Sequence, residues 1–166
     1  MKNTKLGYGR PALHTQLLTL YTHGRLPTLG TIRSISQVYV WKPNAWGRAA
    51  EAVLKNMQYL SRIMLVQEYV VMPNHIHILV SYRHHTPHIL NWFALRCKQM
   101  MTQSMLHDKQ VSQPIWERSF HSIEIRHDGT LRAVCENLRE HHSHWQYDAL
   151  CKEAHTALRK EKETQQ

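Results

Sequence analysis

Cysteine, acidic residues and long apolar runs are all scarce in this 166-residue chain. Cys97, Cys135 and Cys151 form an odd set at spacings unlike a disulfide framework. That excludes a small secreted scaffold and fits the reducing cytoplasm, the expected location. The longest apolar stretches, around residues 63–66 and 69–73, fall far short of the roughly 20 residues a membrane-spanning helix needs. The opening "MKNTKLGYGRP" has charge but no apolar core behind it, so no secretory signal is expected. No internal repeat or low-complexity segment is present. Only 12 residues are Asp or Glu against 21 Lys and Arg, a net charge of +9, and 14 histidines stand in reserve. Basicity of this size points to a polyanionic partner, most commonly nucleic acid. With 42% apolar residues, the length suits one globular domain that buries roughly 70% of its unfolded surface.

Residues 1–30 carry glycine or proline at 7, 9, 11, 24, 27 and 30 and read as an irregular N-terminal extension. A short helix over 11–22 follows from Pro11 at a permitted first-turn position. Residues 31–166 read as the domain proper. "TIRSISQVYVW" (31–41) alternates as a strand, with Ile32, Val38 and Val40 on one face. After the turn "KPNAWG", residues 47–62 set Ala50, Val53, Leu54, Met57 and Leu60 along a helical stripe. "IMLVQEYVVM" and "HIHILVSY" form a hairpin across Pro73 and Asn74. A second helix over 86–107 carries Ile89, Leu90, Phe93, Cys97, Met100 and Met101, and "IWERSFHSIEIRH" (115–127) is the last strand. Residues 129–163 contain no proline and no glycine after their start, and read as one long helix or two shorter ones. This order predicts an α+β fold: a ferredoxin-like (RRM-like) antiparallel sheet with helices packed on one face.

Inside the hairpin, "YVVMPNHIHILV" places two imidazoles in a run that otherwise suits a buried strand. His75 and His77 share one face of a strand and Ile76 takes the other. Their Cα atoms then lie roughly 6.5–7 Å apart, a span two imidazoles can close onto one metal ion. Without such a partner, each buried ring needs hydrogen bonds to offset its desolvation.

"VVMPNHIHILV", a helix, "IWERSFHSIEIRH" and a terminal helix together resemble the single-tyrosine HUH transposases. The REP-associated tyrosine transposases are the nearest likeness, with insertion-sequence single-strand transposases further off. The resemblance runs from about residue 65 to 145. It implies a divalent ion, Mg²⁺ or Mn²⁺, on the histidine pair, and single-stranded or hairpin DNA as partner. It also implies a helix-borne tyrosine that attacks phosphorus, leaving a 5′-phosphotyrosine and a free 3′-OH, and a third metal ligand one turn beyond it. The family's terminal pattern, Y-I-x-x-N-P-x-x-W, aligns with "NLREHHSHW". Asn137 then stands at the nucleophile position and His141 at the third ligand.

An amide cannot form the phosphotyrosine, so this register implies a degenerate or domesticated relative that binds without cutting. Tyr147 is the alternative nucleophile, which would restore active cleavage and rejoining. It lies ten residues on, about 15 Å along an unbroken helix, and reaches the metal only if the helix breaks around 141–145 or a second subunit of a homodimer supplies it. A non-catalytic adaptor for RNA or protein is a further alternative. Arg83, Arg96, Lys98, Arg118 and Arg126 are the cations nearest the proposed site and candidates for phosphate contacts. Trp116 and Phe120 serve either as platforms for stacked bases or as core residues. His142 and His144 read as phosphate- or solvent-facing. Cys151 and His155 could begin a zinc site with Cys135 or His144, or the cysteines could pack as small hydrophobes.

Overall fold

The computed structural model describes residues 14–60, 64–83, 88–106 and 114–164. Its main sheet begins where the sequence suggested a helix. Strand β1 runs His14–Thr22 and lies inside the sheet, so the expected helix over 11–22 and the irregular character of residues 14–22 are both corrected. The other three strands are β4 (Met64–Val71), β5 (His75–Tyr82) and β6 (Trp116–Glu124), in the order β4-β5-β1-β6 with every neighbouring pair antiparallel.

The reason for β1 is visible in its threonines. Thr15 Oγ1 bonds Ser81 Oγ at 2.8 Å, Thr19 Oγ1 bonds His77 Nδ1 at 2.9 Å, and Thr22 Oγ1 donates to the Asn74 carbonyl at 2.9 Å. Leu18 and Leu20 alternate with Leu17 and Thr19 and are fully buried. β-Branched residues paired on both sides outweigh any local helical preference.

Residues 31–41 are likewise not one strand. β2 (Gly30–Ile35) and β3 (Val38–Pro43) form a separate two-stranded hairpin. Ser36 and Gln37 turn it with φ of 49° and 67°, the double positive φ of a type I′ turn. Neither residue carries the usual Asn-Gly signal, so the turn was hidden.

Helix α1 (Ala45–Leu60) buries Ala50, Val53, Leu54 and Met57 of the predicted stripe; the side chain of its last member, Leu60, lies outside the described residues. Helix α2 (Ile89–Leu106) buries Ile89, Phe93, Cys97 and Met101. Both join Leu18, Leu20, Ile76, Ile78 and Val80 in the larger core. The C-terminal region resolves into two helices: α3 (Asp128–Glu140), a 3₁₀ segment (His141–Tyr147) and α4 (Ala149–Thr164). Their Cys135, Leu138, Trp145, Cys151 and Ala154 make a second core with Val70, Met72 and Leu79. Helices therefore cover both faces of the sheet, where a single covered face was expected. β5 requires this, because its residues are buried on both faces and a sheet hidden on both sides needs cover on both.

Candidate metal centre

His75 and His77 lie on the face of β5 that also carries Leu79, beneath the second core. Their ring centroids are 4.6 Å apart. His141, the first residue after α3, brings a third ring to 5.9 Å from His75 and 5.0 Å from His77. One ligand nitrogen from each of the three lies within 4.8 Å of the others, an HUH-like cluster positioned to hold a metal ion. Among the described residues this is the one group of three or more His, Cys, Asp or Glu so placed. Ligand atoms that share an ion at about 2.1 Å each stand at most about 4.2 Å apart. Binding therefore needs the rings to draw together only slightly.

The surroundings orient these rings. The Asn74 amide nitrogen donates to the carbonyls of Leu150 at 2.9 Å and Arg25 at 3.2 Å. Its Oδ1 is thereby turned to His75 Nδ1, 2.9 Å away. His75 must donate through Nδ1, which leaves the Nε2 lone pair facing the cluster. That Nε2 is buried and makes no hydrogen bond, the kind of orphan that a cation would satisfy. Thr19 holds His77 through Nδ1, and Asn137 Oδ1 lies 3.2 Å from His141 Nδ1. Partners of this sort on the outer ring nitrogen are how metal-binding histidines are held.

Burial pushes the His75 pKa well below the usual histidine range, with the His77 ring adding to the effect. Burial and the nearby His141 bring His77 down to about 4. Both rings are neutral at pH 7, as metal ligation requires.

Two groups at the centre escaped the sequence reading. Asp148 Oδ2 lies 3.0 Å from His141 Nε2 and 3.8 Å from His75 Nε2. A lone Asp seven residues beyond His141 carries no motif signal, because only the 3₁₀ break brings it inward. Arg25 places its guanidinium 3.3 Å above the Tyr21 ring and pairs with Glu153 at 3.6 Å. Its backbone carbonyl anchors Asn74. Asn74 was read from the sequence only as part of the hairpin turn.

The other candidates divide. Arg83, Arg96, Arg118 and Arg126 are exposed, and Arg126 bonds Glu124 at 2.7 Å. Lys98 is not available to phosphate. It is buried, and its ammonium donates to the carbonyls of Glu117, Ser119 and Arg118 at 2.6, 2.9 and 3.2 Å. Trp116 is a core residue, buried with its indole N–H on Thr102 Oγ1, and Phe120 packs against the same core. Both belong to the α1–α2 side, where β5 presents Ile76 and Ile78, so neither offers a platform beside the histidines.

His142 turns inward, bonding the Val71 carbonyl at 2.8 Å and stacking on Trp41. The expectation of a phosphate- or solvent-facing ring is corrected, and burial lowers its pKa. His144 is exposed. Cys135 and Cys151 pack in the second core, where burial raises both thiol pKa values, and they form no zinc cluster. Asn137 is exposed on α3, and Tyr147 is 77% exposed at the end of the 3₁₀ segment. No helix among the described residues is long and apolar enough to cross a membrane.

A search of curated proteins finds no match. A candidate transposase from Deinococcus radiodurans R1 shares the fold at a TM-score of 0.50, with 17% identity over 83% of this chain and 98% of that one. A REP-associated tyrosine transposase, solved bound to a REP hairpin, aligns at a TM-score of 0.49 and 14% identity, over 85% of this chain and 72% of that one. The family model for IS200-like transposases matches residues 36–141, well over half of the sequence. This chain belongs to the IS200-like transposase family.

Proposed function

We propose that this protein engages single-stranded or hairpin DNA through a divalent ion held by His75, His77 and His141, and that it does not form the covalent tyrosine link. The observation that carries this reading is Asn137. At the position expected for the nucleophile stands an amide, turned onto His141 as a positioning group. A divalent ion, Mg²⁺ or Mn²⁺ by family resemblance, supplies polarisation of a phosphate oxygen on the bound strand. Exposed Arg83, Arg96 and Arg118 and a net charge of +9 supply the cationic surface that a polyanion needs. Three free, buried cysteines suit a cytoplasmic setting.

One observation favours a second reading. The helix does break at residues 141–147, the condition under which Tyr147 could approach the centre, and its neighbour Asp148 reaches it. In that reading Tyr147 is the nucleophile and the protein cleaves and rejoins DNA.

A single gel separates the two. Labelled hairpin DNA and Mn²⁺ are incubated with wild type, Tyr147→Phe and His75→Ala, then denatured. The expected result is no resistant adduct in any lane, alongside native-gel retention of the hairpin that weakens steeply with salt. An adduct in wild type that vanishes in Tyr147→Phe establishes the second reading instead. Failure to retain hairpin even at low salt overturns both.

A further inference from the structure

We propose that Asp148 is a fourth ligand of the His75–His77–His141 centre, making it a three-imidazole, one-carboxylate site that selects Zn²⁺ and Mn²⁺ over Mg²⁺. The inference rests on the metal-binding reading above and concerns this chain's own carboxylate. Asp148 divides its two oxygens between separate tasks. Oδ1 accepts the Leu150 N–H at 2.8 Å and caps the first turn of α4. Oδ2 faces inward, 3.0 Å from His141 Nε2 and 3.8 Å from His75 Nε2, on a side chain only 14% exposed. The cap fixes the carboxylate beside His75 and His141 before any ion arrives; it stands outside the mutual 4.8 Å group of the three rings, so ligation needs it to close toward His77.

The proton arrangement argues for a cation among these atoms. Asn74 compels His75 to carry its proton on Nδ1, and His141 Nδ1 likewise faces Asn137 Oδ1. His75 Nε2 therefore presents a lone pair toward the Oδ2 anion, with His141 Nε2 beside both. A neutral, metal-free explanation accounts for the His141–Asp148 approach through a single shared proton. It leaves the buried Nε2 of His75 without a partner. One cation satisfies all three.

The donor set also ranks the ions. Mg²⁺ favours near-octahedral oxygen coordination and retains its water, whereas imidazole suits zinc and its neighbours. Three nitrogens and one carboxylate oxygen therefore bind Zn²⁺ most tightly, Mn²⁺ next and Mg²⁺ least.

The test is calorimetric titration of the full chain with Zn²⁺, Mn²⁺ and Mg²⁺, joined by the visible absorption of added Co²⁺ as a reporter of coordination. Wild type is compared with Asp148→Asn, Asp148→Ser and His77→Ala. Asn and Ser are both good N-caps, so α4 keeps its start and one of the pair serves if the other fails to fold. Zn²⁺ and Mn²⁺ affinity is expected to fall about tenfold or more in both Asp148 variants, with a changed Co²⁺ band. A smaller loss with an unchanged Co²⁺ band, while His77→Ala abolishes binding, overturns the Asp148 assignment and leaves the histidine centre standing. Identical isotherms for wild type and His77→Ala overturn the centre and this inference together. Mg²⁺ binding as tight as Zn²⁺ overturns the selectivity.

Discussion

The two faces of β5 are built on opposite terms. Toward α1 and α2 it presents Ile76, Ile78 and Val80, each fully buried against apolar neighbours. Toward α3 and α4 it presents His75 and His77, one of them with a buried nitrogen that no protein group satisfies. Every residue on the first face gains by leaving water. The histidines lose by it, and their depressed pKa values record that loss. One strand thus separates the part of the molecule that supplies stability from the part that holds the candidate chemistry.

The largest expected effect is on the apolar face. Ile78→Ala should destabilise the fold by about 2–5 kcal/mol in urea unfolding, as a cavity in a closed core does. His77→Ala, one position away, should change metal-free stability by no more than about 1–2 kcal/mol, because relief of a desolvated ring offsets the lost Thr19 bond. It should also abolish any metal-induced rise in Tm. If the two variants cost the same, the contrast between the faces is lost.

Acid sharpens the contrast next. Folding holds His77 at about 4, against an ordinary value near 6.5. Between those limits the unfolded chain takes up a proton that the folded chain refuses, so metal-free stability should decline as pH falls from about 6.5 to about 4. His75 shifts in the same direction and adds to the decline. Replacing His77 with Gln should flatten the slope in that window, whereas Ile78→Ala should shift the whole profile down without changing its shape. Denaturation midpoints across a pH series would check both.

A smaller effect is expected at Lys98. Lys98→Met leaves three carbonyls without their donor and should cost about 1–3 kcal/mol, with hairpin retention at a given salt unchanged. The smallest concerns Arg118, exposed on β6. Arg118→Ala should move stability by no more than about 0.5 kcal/mol, yet lower the slope of log affinity against log salt by about 1 if it meets a phosphate.

The apolar face and the histidine pair were legible in the sequence for the same reason. Period-two and period-3.6 patterns report which side of an element is buried, and "HIHILV" keeps its register over the whole of β5. What was lost depended on partners distant in sequence. "HTQLLTLYT" is too short for periodicity to distinguish strand from helix, and its strand form rests on β5 and β6. Lys98 resembled a surface cation because nothing local announces three carbonyls waiting across a helix–strand contact. Asp148 was invisible because helical spacing, in one helix or two, carries no signal for it, and the 3₁₀ segment turns it inward.

The central place of β1 has a consequence for how the molecule comes to be. This strand is made before both of its partners: its hydroxyl pairs to β5 span sequence separations of 58 and 66 residues, and its other edge waits for β6. Until those strands leave the ribosome, Leu18 and Leu20 have no core to enter, while the β2–β3 hairpin and α1 can form from nearby residues alone. Loop closure over such distances slows folding and leaves an unpaired apolar strand open to wrong partners. A nascent chain halted before residue 116 should therefore hold β1 protected on one edge only, the edge that pairs with β5.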